Sequence, residues 1–195
     1  MAMLGIDGFD HYNSASDLVN QKATTTRAFQ WTSARGLGIG AGTNFFNYGK
    51  CITCNQNGDM VATLSASKTT AIWGGHVILP ENSFLWISGF DSSAGQIPYA
   101  NGNSQVGLLL NSSNASLSAY SDLALRIGQA PSSGVVNTTA VLLAKSSNNI
   151  YPVDSVFLLE VAFTIDGSVG SVLVAINGTV VLNITGQNTQ VSANS

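Results

Sequence analysis

The most constraining feature of the chain is an alternation of apolar and polar residues that begins at Val156. In the segment VFLLEVAFTID (156–166) every second residue is apolar, and the positions between them become polar toward its end. The apolar series comprises Phe157, Leu159, Val161, Phe163 and Ile165. A period of two is that of a half-buried β-strand.

Two turn signals divide the residues that follow into two further strands. The first is Asp166–Gly170, and the second is Asn177-Gly178, the strongest short hairpin signal, because both central residues of a type I′ turn need positive φ. The apolar positions are Val172, Val174 and Ile176 in one strand and Val180, Leu182 and Ile184 on one face of the next. The sequence therefore predicts a three-stranded antiparallel meander over residues 156–185.

Similar patterns upstream predict more short strands separated by Gly, Ser and Asn. They lie at 64–79, with a bulge or bend at Gly74-Gly75, and at Phe84–Phe90, Val106–Leu110, Ala115–Tyr120, Leu123–Ile127 and Ala140–Ala144. Only Ser16–Lys22 resembles a capped helical turn or two. With no linker and no internal repeat, the sequence predicts an all-β fold, a two-sheet antiparallel sandwich, in one domain over residues 1–195.

The N-terminal residues 1–12 are expected to form an edge strand of this domain. Leu4, Ile6 and Phe9 make the segment apolar, and an apolar strand has to be covered. Residues 3–9 are therefore predicted to pair near the C-terminal hairpin or with a neighbouring subunit. The segment lacks the basic start and long apolar run of a signal peptide, and no apolar run of the chain is long enough to span a membrane.

The charge content is unusually low. Asp, Glu, Lys and Arg make up 9% of the residues, against roughly 25% in an average soluble domain. Ser, Asn and Thr supply 57 residues, so the polar surface is largely neutral and weakly protected against association. Such a surface suits a protein packed against neighbours, or alternatively a lectin-like domain. The seven basic residues are scattered, which disfavours nucleic-acid binding.

Catalytic and metal-binding patterns are weak. The ten carboxylates include no pair with the spacing that a glycosidase strand would need, and there is no G-x-S-x-G, so the chain is not expected to be an enzyme. Asp7, Asp10 and His11 are the best candidates for a metal, with calcium suited to the two carboxylates, but packing and turn hydrogen bonds are favoured. No metal or other cofactor is predicted.

The remaining candidates are two cysteines and three tryptophans. Cys51 and Cys54 form a CxxC in a β context, directly before a turn predicted at Asn55–Gly58. Free thiols are favoured over a disulfide, and redox catalysis ranks third. Trp31, Trp73 and Trp86 are potential platforms for a sugar ring. Trp73 and Trp86 have apolar neighbours and are predicted to lie in the core, which makes Trp31 the better exposed candidate.

Two segments resemble known proteins. Leu4–Tyr12 (LGIDGFDHY) is similar to the opening of a group of bacteriophage structural proteins that begin with I-D-G-F-D-H-Y. The meander over 154–189 resembles the late hairpin of concanavalin A-like (laminin G-like) jelly rolls, in which a glutamate-bearing strand precedes a G-s-v-x-v-x-v-N-G segment. Relatives of this type continue into a further strand with paired acids, so we expect either a truncated form or a strand from a neighbouring subunit.

The resemblance implies a jelly roll in a phage particle and carries no catalytic residues to this chain. We therefore expect a virion structural protein of the tail, baseplate or capsid, assembled in the host cytoplasm with other virion proteins and as a homo-oligomer. The alternative is a carbohydrate-binding module that attaches the virion to a host surface glycan. A glycan depolymerase is the third hypothesis, and it would need the carboxylate pair that the sequence does not display.

Overall fold

The structure is a computed structural model and describes residues 29–41, 50–64, 69–81, 84–90, 104–111, 122–127, 141–147 and 150–190. Three predicted elements lie outside these ranges: the N-terminal edge strand within residues 1–12, the helical turn at Ser16–Lys22 and the strand at Ala115–Tyr120. They stay predictions.

The described residues form ten β-strands and no helix, which confirms the all-β class. The strands are β1 (Phe29–Ala41), β2 (Lys50–Leu64), β3 (Thr70–Val77), β4 (Phe84–Phe90), β5 (Ser104–Asn111), β6 (Asp122–Ile127), β7 (Val141–Lys145), β8 (Phe157–Thr164), β9 (Gly170–Ile176) and β10 (Thr179–Gln187). Within the described ranges, no helix is both long and apolar enough to cross a bilayer.

The strands are arranged in three antiparallel sheets. One contains β1 and β2, the second has the order β10-β9-β8-β3, and the third has the order β4-β5-β6-β7. The chain divides into two compact units, Met1–Ser67 and Lys68–Ser195, and the two four-stranded sheets both belong to the second unit. The single domain predicted over 1–195 remains a prediction.

The first unit contains one long hairpin, β1 with β2. Its pairing runs from Phe29 opposite Leu64 to Ala41 opposite Lys50. Asn55–Gly58, predicted as a turn, lies inside β2 instead. Arg35 pairs with Asp59 and Leu37 with Cys54. Residues 55–58 therefore form a bulge of four residues opposite Gly36, and the strand continues past them.

In the second unit, β8, β9 and β10 form the meander that the sequence predicts. The predicted apolar face of β8 is buried at Phe157, Leu159, Val161 and Phe163, and Ile165, just beyond the strand, packs partly buried against the same core. Complete burial of each such side chain contributes roughly 1.5–3 kcal/mol. The predicted face of β9 is buried as well, at Val172, Val174 and Ile176.

One hydrophobic cluster joins the two four-stranded sheets. Val106, Leu108 and Leu110 of β5 belong to it together with the buried residues of β8 and β9. The ring of Tyr151 adds to it by stacking on Phe157, with the ring centroids 5.0 Å apart. Each sheet therefore buries one side of a central strand in the same core.

The Asn177-Gly178 turn has the predicted conformation, because Asn177 (φ 49°) and Gly178 (φ 78°) both lie in the left-handed region. The turn is also tied to the start of β8. The Leu158 N–H donates to Oδ1 of Asn177 at 2.9 Å, and the Asn177 N–H donates to the Leu158 carbonyl, also at 2.9 Å. The asparagine thus extends the β8–β9 ladder by one more pair of hydrogen bonds.

The prediction that Val180 shares one face of β10 with Leu182 is wrong. Val180 pairs with Ala175 and Leu182 with Val174, so Val181 is an extra residue in a bulge. The bulge turns Val180 to the side opposite Leu182, and Val180 is 51% exposed whereas Leu182 is buried. A strict period of two does not predict this change, because one extra residue reverses the side to which the preceding residues of the strand point.

The turn between β8 and β9 is closed by the carboxylate of Asp166. Its Oδ1 accepts hydrogen bonds from the N–H groups of Val169 (2.9 Å) and Ser168 (2.8 Å) and from the Ser168 hydroxyl (3.2 Å). The pKa of Asp166 is held below its ordinary value of 3.8, chiefly by the hydrogen bond from the Val169 N–H and next by that from the Ser168 N–H.

Thr189 connects the same turn to the end of β10, and its side chain is fully buried. Its hydroxyl donates to the Thr164 carbonyl at 2.8 Å and accepts from the Asp166 N–H at 3.0 Å, while its own N–H donates to the Asp166 carbonyl at 2.9 Å. Gly170 makes this approach feasible, because a Cβ there would overlap the Thr189 hydroxyl and lie 2.8 Å from the Gln187 carbonyl.

Replacing Gly170→Ala should lower the free energy of unfolding by roughly 3 kcal/mol, since the new methyl group forces Thr189 and the backbone apart. Gly167→Ala is the matched control, because its Cβ would approach nothing closer than Gln190 Oε1 at 3.6 Å. Urea unfolding of both variants is the measurement. Equal stability of the two variants would contradict the close contact at Gly170.

Acid should weaken the Asp166 turn. Because the pKa of Asp166 is lowered in the folded chain, its contribution is complete above about pH 3.8 and disappears as the pH falls through the lowered value. In Asp166→Asn the side chain keeps an acceptor oxygen but cannot titrate. The stability difference between the wild type and this variant should therefore be largest above pH 3.8 and narrow below it. A pH-independent difference in denaturation midpoints would refute this role.

Candidate interaction surface

The outer surface of the sheet β10-β9-β8-β3 is the most informative surface that the structure describes. Directly paired residues of neighbouring strands point to the same side of a sheet. The side opposite the core therefore consists of four rows, which we call the outward face. These rows are Thr70, Thr164 and Ser171; Ile72, Ala162, Leu173 and Asn183; Gly74, Glu160, Ala175 and Val180; and His76 with Leu158.

Large apolar side chains of the outward face reach solvent. The exposed fractions are 60% for Ile72, 37% for Leu173 and 51% for Val180. Ala162 lies between Ile72 and Leu173 in their row, so the apolar surface is continuous across three strands. Contiguous exposed apolar surface is typical of a site where another protein docks.

The outward face carries one acidic side chain and no Lys or Arg in its four rows. Glu160 lies at its centre, exposed, with Gly74 on one side and Ala175 on the other. Because so few charged groups would have to lose water, most of this face can be covered by another protein at a small electrostatic penalty.

Strand β3 lies at the end of this sheet and is exposed over most of its length. Its pairing with β8 runs from Thr70 opposite Thr164 to Val77 opposite Phe157. Of its eight residues, only Gly75 and Val77 are partly buried. This strand therefore presents apolar residues on both of its sides, unlike β8, which is buried on one.

Trp73, predicted to lie in the core, is 37% exposed, so that prediction is wrong. It pairs with the buried Val161 and so points to the core side, but on a strand that forms the rim of the sheet. Its indole ring lies along its own strand, where a Cβ at Gly75 would be 3.2 Å from Cζ2. Apolar neighbours in sequence identify a strand, but not its distance from the centre of a sheet.

The predicted site residues are not brought together by the described part of the structure. Asp7, Asp10 and His11 lie outside the described residues. Trp31 lies in β1 opposite Ala62, and Cys51 and Cys54 lie in β2, but for these three only the backbone pairing is described. Within the described ranges, no group of three His, Cys, Asp or Glu side chains could hold a metal ion.

The sequence contains one signal for the outward face, and it lies in apolar rather than polar residues. In the β9 segment SVLVAI, the outward positions Leu173 and Ala175 are as apolar as the inward ones. Apolar residues on both sides of a strand favour burial of both sides. Ile72 and Val180, in contrast, could be placed on this face only once the pairing and the bulge were known.

Comparison of the chain with protein-family models finds no match, and comparisons with curated proteins and with solved structures find no significant match either.

Proposed function

We propose that this chain is a structural protein of a bacteriophage virion, a component of the tail, baseplate or capsid decoration, that acts by assembly with other virion proteins and with copies of itself. The observation that carries the proposal is the outward face, where Ile72, Leu173 and Val180 are exposed around a single carboxylate. The low overall charge and the resemblance of Leu4–Tyr12 to phage structural proteins support it from the sequence.

For the fold we propose a two-sheet jelly-roll sandwich of the concanavalin A-like type. In its support, two antiparallel four-stranded sheets contribute side chains to one hydrophobic cluster. Such a framework suits assembly because the cluster lies between the two sheets, which leaves Ile72, Leu173 and Val180 of the outward face exposed to contact other proteins.

The proposal does not involve catalysis. Glu160 has Gly74 and Ala175 beside it in its row, so no second acid adjoins it there. The carboxylate of Asp166 is engaged in three hydrogen bonds that hold a turn. A protein that works by contact needs a stable framework and an apolar outer surface, and the described residues supply both.

Purified protein should associate in solution and should be taken up by particles that lack it. Light scattering across a wide concentration range measures the first, and co-sedimentation with particles measures the second. A protein that stays monomeric at high concentration and does not bind such particles would overturn the proposed function. Binding to particles by a monomer would instead indicate that it assembles with other virion proteins alone.

The second candidate function, attachment to a host glycan, is favoured by one observation. Trp73 is 37% exposed, and a partly exposed indole offers a flat apolar platform with a polar N–H, which suits a sugar ring. We infer that, if the chain binds carbohydrate, the Trp73 ring forms part of that site.

A glycan array with the wild type, Trp73→Ala and Ile72→Ala tests this candidate. Removal of the indole should weaken glycan binding about tenfold, whereas the neighbouring Ile72→Ala, on the other side of the strand, should leave it unchanged. No binding by the wild type, or equal binding by all three proteins, would remove Trp73 as a sugar platform.

A further inference from the structure

We propose that β3 pairs antiparallel with β3 of a second copy of the chain, so that the two sheets β10-β9-β8-β3 join into one continuous sheet of eight strands. The inference rests on the proposed role in assembly and names the surface that would carry it. The strand ends its sheet, and among the described strands it pairs only with β8.

The composition of β3 favours pairing at its edge. Its sequence, TAIWGGHV, contains no Lys, Asp, Glu or Pro and is eight residues long. Natural edge strands are normally protected from pairing by charges, by proline or by being short. Here Ile72 and Trp73 are instead exposed on opposite sides of the strand, so its edge is apolar above and below.

The charge of Glu160 decides how two copies can meet. If the outward faces of two copies stacked on each other, their central Glu160 carboxylates would be buried close together, which is unfavourable. Edge pairing keeps these carboxylates apart, because β3 of each copy lies between them. Three strand spacings separate them by about 14 Å, which exceeds the Debye length of about 8 Å at physiological ionic strength.

Strand β3 is also compatible with pairing to its own sequence. A two-fold axis perpendicular to the sheet keeps both outward faces on the same side, so residues of equal parity meet. In the register centred on Gly74, Trp73 lies opposite Gly75 of the second copy, and Ile72 lies opposite His76. The two indole rings are then diagonal neighbours across the seam, a separation that aromatic side chains can bridge.

The size of the edge sets the expected strength. An eight-residue strand is about 26 Å long and the sheet with its side chains about 10 Å thick, so pairing covers roughly 260 Å² per copy. A standard stable interface covers about 800 Å² per partner. The dimer should therefore be weak and dissociate on dilution, and it would be well populated where other contacts hold copies together, as in a particle.

The test uses the full chain and two matched lysine variants. Ile72→Lys places a charge on the outward side of β3, whereas Val180→Lys places the same charge on the same face but on β10, at the opposite end of the sheet. Both positions are more than half exposed, at 60% and 51%, so both variants should fold. Sedimentation velocity over a concentration series measures the dissociation constant of each protein.

We expect the wild type and Val180→Lys to dimerise alike, and Ile72→Lys to dimerise at least about tenfold more weakly. In the wild type, hydrogen exchange of backbone N–H groups within Thr70–Gly75 should slow as the concentration rises, a readout that needs no variant. Association that both variants leave unchanged, with no concentration dependence of exchange in β3, would overturn the β3 seam while leaving assembly intact. A wild type that is monomeric throughout and does not bind particles would overturn both.

Discussion

The packing of the core side of β8 is the interaction on which the rest of the second unit depends. Phe157, Leu159 and Val161 are almost completely buried in a cluster that includes β5 of the other four-stranded sheet. The same strand pairs with β3 on one side and β9 on the other. Its position therefore fixes the register of its whole sheet, and with it the set of residues that face outward.

Because side chains alternate strictly along a strand, a shift of one residue would exchange the two faces. Two local structures oppose such a shift at opposite ends of the β8–β9 pair. At one end, Asn177 bonds to both backbone groups of Leu158. At the other, the buried Thr189 hydroxyl bridges Thr164 and Asp166, an approach that Gly170 permits. These contacts stabilise the pairing that keeps Ala162 and Leu173 in one row.

Local patterns predicted the meander well, because its determinants are local. The alternation in 156–166 and the Asn177-Gly178 turn depend on residues close together in sequence, and both are confirmed. The strand at Phe84–Phe90 is confirmed with the same bounds, and that at Val106–Leu110 lies within β5.

The features that the sequence did not predict depend on distant residues. The contact between Gly170 and Thr189 joins the two ends of a hairpin, and neither residue type indicates such a contact by itself. The exposure of Trp73 depends on the order of strands in the sheet, which local pattern does not specify. The bulge at Val181 and the bulge that replaces the Asn55–Gly58 turn are defined only by the partner strand. The outward face depends on distant residues as well, since Ile72 and Val180 are placed on it by their partner strands.

The second unit combines a well-packed strand core with an outward face that is apolar and carries one carboxylate. In an isolated chain such a surface promotes unwanted association, whereas in an assembly it is covered by neighbours. The neutral polar composition of the whole chain is compatible with that second situation, because Ser, Asn and Thr can be covered with less loss of hydration than charged residues.

A reconstruction of the proposed phage particle, at a resolution that traces individual strands, would locate the chain and its neighbours. We expect the chain to be present in repeated copies and a protein neighbour to cover the outward face around Ile72, Leu173 and Val180. A particle without the chain, or one in which that face is exposed to solvent in every copy, would contradict the proposed role in assembly.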